Sequence, residues 1–148
     1  MTGLNHVLTG AAIGLAVQEP LLVIPLALVS HFILDAIPHF DHEIYRYGSK
    51  HFTKIMLSDS ILSIGAVLGL VLLFPANALG IILGALSATA PDFLWPYYYT
   101  HGRPQNWYYK FHVGIQWFER PAGAWVEASY LIFIGTVLVA ITQAGVST

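Results

Sequence analysis

Long apolar runs make up most of this 148-residue chain, and they restrict its fold more than any other feature. A helix needs about 20 apolar residues to cross the roughly 30 Å hydrocarbon core of a bilayer. The third and fifth runs reach that length, and the shorter three would span where the bilayer thins or flanking side chains reach its surface. We therefore predict an all-α integral membrane bundle of about five helices, with residues 1–148 as a single domain. The runs are 4–17, 21–37, 51–74, 78–94 and 122–141.

The composition excludes several other classes of protein. Hydrophobic residues make up 56% of the chain and charged residues 9%, against roughly 25% charged residues in typical soluble domains. A disordered chain has the opposite balance, and the absence of cysteine excludes a disulfide-built module or a Cys-ligated zinc site. A net charge of −2 without a basic stripe argues against a nucleic-acid partner. Membrane lipid is the expected partner, and a homo-oligomer is compatible with such short helices.

The basic residues predict an orientation in the membrane. If each apolar run crosses once, all six Lys and Arg side chains fall on the side that holds the N-terminus. The positive-inside rule makes that side cytoplasmic. We expect a multi-pass protein of the cell (inner) membrane, with its N-terminus in the cytoplasm. The six residues are Arg46, Lys50, Lys54, Arg103, Lys110 and Arg120.

Residues 106–119 have the pattern of a helix that lies on the membrane surface. Trp107, Phe111, Ile115 and Phe118 recur at spacings of four, four and three, with most polar side chains off that stripe. A helix that packs against the core has the same pattern and stays an alternative. In either case His112, with Gln116 on its face of the helix, could reach a pocket in the bundle.

Ionisable residues within the apolar runs are costly and are candidates for function by default. His31 and Asp35 are four positions apart and share one helix face. Nearly all such residues fall toward the predicted cytoplasmic ends of the helices, and Glu19 is the only charge assigned to the other side. This distribution predicts one polar pocket that enters the bundle from the cytoplasmic face. Histidine with aspartate, and without cysteine, is a ligand set for zinc or another divalent ion.

Seven residues are the predicted site. His31 and His112 are the predicted proton-transfer residues, although helix packing is an equal alternative for His31. Asp41 and His42 are further candidates in the loop, where Asp41 could instead orient a ligating histidine. The cofactor would be a divalent metal, zinc first, with manganese or magnesium as alternatives. The predicted metal ligands are His6, Asp35, His39, Asp59 and Asp92.

A shift of 53 residues overlays the first two helices on the next two. His6 then falls on Asp59, and His39 falls on Asp92. Two helical hairpins related by a pseudo-twofold axis along the membrane normal would bring these four residues to one centre. Chance is the alternative, because identity across the overlay is low.

Three segments resemble the His/Asp motifs of a known family. They are Asn5-His6, the block Ser-His-Phe-Ile-Leu-Asp at 30–35 and the block Ile-Pro-His-Phe-Asp-His at 37–42. They look like the YdjM-type inner-membrane metal-dependent hydrolases, which are distantly similar to zinc-dependent phospholipases C. The resemblance covers about the first 45 residues and implies a helical membrane fold, a His/Asp metal site and hydrolysis. His39 stands where the family has Asp, and the family's His-Arg-Gly-x-Thr-His-Ser block is absent.

These observations lead to one main hypothesis and two alternatives. The main hypothesis is a membrane-embedded metal-dependent hydrolase that opens to the cytoplasmic face and acts on an amphiphilic phosphate ester or phospholipid. The first alternative is a divalent-cation or proton-coupled transporter. It is disfavoured because transport needs polar access from both faces, and the predicted outer half of the bundle has almost no polar residues. The second is a non-catalytic scaffold whose metal only holds the bundle together and has a closed coordination shell.

Overall fold

A computed structural model describes residues 1–17, 19–40 and 48–146, without the side chains of 145 and 146. These residues form α-helices and short 3-10 segments, and no strand occurs among them, so the all-α prediction is confirmed. The second helix ends two residues earlier than predicted, and the fourth run divides into a helix and a 3-10 segment. The helices are α1 Gly3–Ala16, α2 Pro20–Asp35, α3 Lys50–Leu73, α4 Ala78–Thr89, α5 Trp95–His101, α6 Trp107–Ile115 and α7 Gly123–Val146; the 3-10 segments Pro75–Asn77 and Ala90–Leu94 flank α4.

Three helical segments are long and apolar enough to cross a membrane. They are Lys50–Leu73, Pro75–His101 and Gly123–Ala144. The other two apolar helices, α1 and α2, have 14 and 16 residues, which gives them lengths of about 21 and 24 Å at 1.5 Å per residue. Large apolar side chains cover the outside of the bundle, and Leu72 of α3 is 80% exposed. A surface of this kind is compatible with a membrane protein.

Helices α1 and α4 pack closely because glycines face each other across their interface. Gly10 meets Gly84, and Gly14 meets Gly80, so that a Cβ atom added at any of the four would overlap backbone of the opposite helix. This four-residue spacing of small residues is the usual means of close approach between membrane helices. The antiparallel contact places the N-terminal end of α1 beside the C-terminal end of α4.

Polar groups gather at that same end of the bundle. The Asp59 carboxylate of α3 accepts hydrogen bonds from the backbone N–H groups of Gly3 (2.9 Å) and Leu4 (3.0 Å). The buried Glu127 carboxylate of α7 accepts from the backbone N–H groups of Thr2 (3.3 Å) and Phe40 (3.1 Å). These contacts join the beginnings of α1 and α7, the first half of α3 and the segment that follows α2. The bundle therefore has one polar end, as the sequence pattern indicates.

Candidate metal centre

Four side chains from three separate segments converge at the polar end of the bundle. His31 and Asp35 come from the last two turns of α2, Asp92 from the 3-10 segment after α4, and His112 from α6. Each offers one nitrogen or oxygen ligand atom, and these atoms all lie within 4.8 Å of one another. His31, Asp35 and His112 are buried, whereas the Asp92 side chain is 29% exposed. Asp92 is therefore the member of the group that solvent or a ligand reaches.

The distances within this group match those between ligands of one transition-metal ion. The two histidine Nε2 atoms lie 3.2 Å apart. The Asp35 Oδ2 atom lies 3.2 Å from the His31 Nε2 atom and 3.4 Å from the His112 Nε2 atom. The Asp92 Oδ1 atom lies 3.7 Å from both nitrogens. Tetrahedral zinc with ligands at about 2.0–2.2 Å places them about 3.3 Å from one another, so these four residues could hold such an ion.

A hydrogen bond outside the group fixes the orientation of His31. Its Nδ1 atom lies 2.8 Å from the Ala88 carbonyl oxygen of α4. A carbonyl only accepts hydrogen bonds, so Nδ1 carries the proton and the Nε2 lone pair of the neutral ring points at the other three residues. Metal-ligating histidines almost always donate their second ring N–H in this way. The His31 ring also stacks on the His6 ring of α1, with ring centroids 4.2 Å apart. Its partners therefore come from α1 and α4, the two helices that pack closely through their glycines.

Asp35 is fully buried, and both of its oxygens have polar partners. Its Oδ2 atom accepts a hydrogen bond from the Gln116 side-chain amide at 3.1 Å. Its Oδ1 atom lies 3.1 Å from the His6 Nε2 atom and 2.6 Å from the main-chain nitrogen of Met1. Burial of a carboxylate is costly unless such partners replace water. These contacts also set the direction in which Oδ2 faces the two histidines.

Aromatic side chains hold Asp92 and His112 in place. The Trp95 indole N–H donates to the Asp92 Oδ1 atom at 3.1 Å, and the Trp95 and His112 ring centroids are 5.3 Å apart. Burial raises the pKa of the nearby Tyr108 phenol, and Tyr98 and Asp92 add to this effect. The Nδ1 atom of His112 is buried and has no hydrogen-bond partner among the described residues.

The structure brings together four of the seven residues that the sequence singles out. Asp35 and Asp92 are predicted ligands, whereas His31 and His112 are the predicted proton-transfer residues. His6 lies at the edge of the group, with its Nε2 atom 3.1 Å from Asp35 and 4.0 Å from the Asp92 Oδ2 atom. The Ala88 carbonyl and the Trp95 indole are contributors that the sequence analysis misses. The spacing Asp92-x-x-Trp95 is a signal for the second of these, because such residues are neighbours on a helical turn.

Asp59 and His39 take other positions. Asp59 accepts from the first N–H groups of α1, which have no partner within the helix and attract a negative charge. His39 donates from Nδ1 to the Ile37 carbonyl oxygen at 2.8 Å, and its Nε2 atom lies 3.4 Å from a Glu119 carboxylate oxygen. Within the described ranges, the single centre of His6, His39, Asp59 and Asp92 suggested by the 53-residue overlay is not formed. Asp41 and His42 lie outside the described residues.

A cavity of about 890 Å³ opens beside the four-residue group. Asp92 and Gln116 line it at one end, and apolar side chains of α3 and α4 line it further on. Its volume falls within the roughly 300–1,000 Å³ usual for small-molecule sites. The chain thus combines a His/Asp group that could hold a divalent metal with a cavity that reaches its exposed carboxylate. Comparisons with known protein families, curated proteins and solved structures found no match.

Proposed function

We propose that this protein is a membrane-embedded, metal-dependent hydrolase that acts on an amphiphilic phosphate ester at the cytoplasmic face. One observation carries the proposal: two imidazoles and two carboxylates at ligand spacing stand beside a cavity whose lining changes from polar to apolar. The three apolar helices long enough to cross a membrane support the location in the bilayer. The gathering of polar groups at one end of the bundle supports a reaction at headgroup depth.

His31, Asp35, Asp92 and His112 would hold the metal ion. When bound there, a divalent ion supplies polarisation of a phosphoryl oxygen and lowers the pKa of water. Asp35 and the two histidines are buried, so their position is set before any ligand arrives. Asp92 is partly exposed and lines the cavity, so substrate would approach the group from its side.

Hydrolysis also requires groups that accept and release protons. Water forms a new P–O bond while the P–O bond to the alcohol breaks, so one proton leaves the water and one reaches the departing oxygen. Because His31 and His112 face the metal position, we assign this proton transfer to His39 and Glu119, which line the same cavity. The His39 ring donates from Nδ1 to a carbonyl oxygen, and its Nε2 atom lies 3.4 Å from Glu119. We assign to this pair the transfer of a proton between the Nε2 atom and the Glu119 carboxylate.

A hydrolysis assay tests the proposal. Protein purified in detergent without a His tag and loaded with zinc would be given phosphatidic acid, lysophosphatidic acid, phosphatidylcholine and water-soluble p-nitrophenyl phosphate. We expect release of phosphate or headgroup from at least one of the lipids, and loss of this activity after chelation. His39→Gln should lower kcat by about 10²–10⁴-fold while the metal content stays unchanged. If the metal-loaded wild type cleaves none of these esters, the hydrolase proposal is overturned. Divalent-ion flux in proteoliposomes would then favour the transporter alternative.

A further inference from the structure

The cavity beside the metal centre continues as a cleft between α3 and α4. Its polar end is formed by Asp92, Gln116 and Arg103. From there it extends along both helices into a region without charged side chains. Asp59 and Leu68, both in its lining, are nine positions apart on α3, which corresponds to about 13 Å at 1.5 Å per residue. The apolar end of the cleft is lined by Ile64, Val67, Leu68, Ile82 and Leu86.

The cleft exists because α3 packs loosely against its neighbours. Ser63 is the one buried residue of α3. Small side chains, including Ser63, Ala85 and Thr89, form the inner wall, and all three are shielded from the outside of the bundle. The Ser63 hydroxyl has no hydrogen-bond partner within the described part of the chain. Small shielded side chains therefore form the floor of the cleft, and partly exposed side chains such as Ile64 and Leu68 form its rims, so the cleft opens to the outside of the bundle.

We propose that this cleft holds one hydrocarbon chain of an amphiphile whose phosphate head lies between Asp92 and Arg103. The apolar end suits an acyl or isoprenoid chain, because a hydrocarbon chain makes van der Waals contacts with its aliphatic side chains. The Arg103 guanidinium has the charge and donor geometry that recognise a phosphate. The inference names the substrate class of the proposed hydrolase and rests on that function for the reaction of the head group.

This arrangement implies that substrate enters sideways from the membrane. The cleft lies between two helices that are each part of a segment long enough to cross a bilayer. A lipid would slide its chain between α3 and α4 while its head stays at the polar end. A water-soluble phosphate ester would reach Asp92 without filling the apolar end, and would gain none of the binding that a chain provides.

Photocrosslinking tests the cleft without any need for turnover. The probe is lysophosphatidic acid with a diazirine halfway along its acyl chain, added to the full-length, metal-loaded protein in nanodiscs. We expect labels at Ile64, Val67 and Ile82, and their loss on addition of unlabelled lysophosphatidic acid. Val67→Trp should fill the cleft and abolish these labels. Leu72→Trp is the matched control, because Leu72 is on the same helix, is 80% exposed and is outside the cleft.

The variants are chosen so that a folding defect does not decide the result. Ile82→Trp fills the cleft from the opposite wall, and the metal content of all three variants reports whether the bundle remains folded. The proposal would be overturned if labels were spread evenly over exposed residues such as Leu57 and Ile61. It would also be overturned if the labels were unchanged in both cleft variants. A disulfide between two copies of an Ile82→Cys variant, in a chain that has no other cysteine, would also overturn it.

Hydrolysis and labelling fail independently of each other. Specific labels without hydrolysis would leave the chain-binding cleft standing and overturn the proposed function. Hydrolysis without specific labels would support the proposed function and overturn the chain-binding cleft. Arg103→Gln should weaken competition by lysophosphatidic acid and leave competition by the uncharged monoacylglycerol unchanged, which distinguishes recognition of the phosphate from recognition of the chain.

Discussion

The Nε2 atoms of His31 and His112 lie 3.2 Å apart, although 81 positions separate the two residues in the sequence. The His31 ring already donates its N–H from Nδ1 to Ala88, so a neutral His31 has a lone pair at Nε2. Three further ligand atoms lie within 3.7 Å of this nitrogen: the His112 Nε2 atom and one oxygen each of Asp35 and Asp92. The same two oxygens also lie within 3.7 Å of the His112 Nε2 atom. A cation between them satisfies all four at once, which is the physical reason for assigning a metal to this position.

Removal of either imidazole should prevent metal binding. We expect His31→Ala and His112→Ala to lose the metal because each removes one of the four ligands and one polar partner of the buried Asp35 carboxylate. Cobalt substitution provides the readout, since its visible absorption reports the number and geometry of ligands. His39→Ala is the control, because this histidine pairs with Glu119 instead. An unchanged cobalt spectrum in His112→Ala would exclude His112 as a ligand.

Gln116→Ala should weaken the metal site without abolishing it. The Gln116 amide donates to the Asp35 oxygen that faces both histidines. Loss of such an outer partner costs about 10–100-fold in metal affinity, measurable by competition with a chelator of known affinity. Gln105→Ala removes the same side chain from an exposed position outside the site and should leave the affinity unchanged. Equal affinities for the two variants would show that Gln116 does not position Asp35.

Asp59→Ala should affect stability and spare the metal. The Asp59 carboxylate accepts two N–H groups at the beginning of α1. Loss of a charged acceptor that leaves donors without a partner costs about 1–3 kcal/mol of unfolding free energy, which an SDS-unfolding titration would detect. Ser58→Ala, at the adjacent exposed position, is the control. A variant as stable as wild type would contradict this capping role.

Gly84→Ala should destabilise the bundle far more than Gly69→Ala. A Cβ at Gly84 meets the Gly10 backbone, whereas a Cβ at Gly69 meets open space. Overpacking in a tight interface typically costs about 1–3 kcal/mol, while alanine in an open helix position gains about 1 kcal/mol over glycine. Thermal unfolding midpoints in the same detergent would compare the two. Similar midpoints would show that α1 and α4 do not pack through their glycines.

The sequence predicts most of the fold because membrane helices appear as long apolar runs. All five runs correspond to helices, and α6 begins within the predicted amphipathic segment 106–119 but ends at Ile115, so Phe118 of the predicted stripe lies outside it. The four-residue spacing of His31 and Asp35 also predicts a shared face, and both residues point to one centre. The glycine pairs at 10 and 14 and at 80 and 84 are a visible packing signal that the sequence analysis leaves unused.

The sequence does not predict which polar residues share the centre, because that depends on long-range packing. Asp59 and Asp92 are both carboxylates near the end of an apolar run. Nothing local distinguishes them, yet one caps α1 and the other meets two histidines. His112 lies beside His31 because of the course that the chain takes between α5 and α6. The spacing of apolar residues does not predict that course. The proposal that His31 and His112 are ligands, in place of proton carriers, rests on the short distance between their nitrogens, which the sequence does not contain.

Metal content per chain, measured by elemental analysis of protein purified without a His tag, is the most direct test of the metal centre. Wild type, Asp35→Ala and Asp59→Ala would be refilled with zinc, freed of excess ion and compared. We predict near-stoichiometric zinc in wild type and in Asp59→Ala, and loss of zinc in Asp35→Ala, because Asp35 faces the two histidines whereas Asp59 accepts hydrogen bonds from the start of α1. Zinc-free wild type, or equal zinc in wild type and Asp35→Ala, would contradict the account.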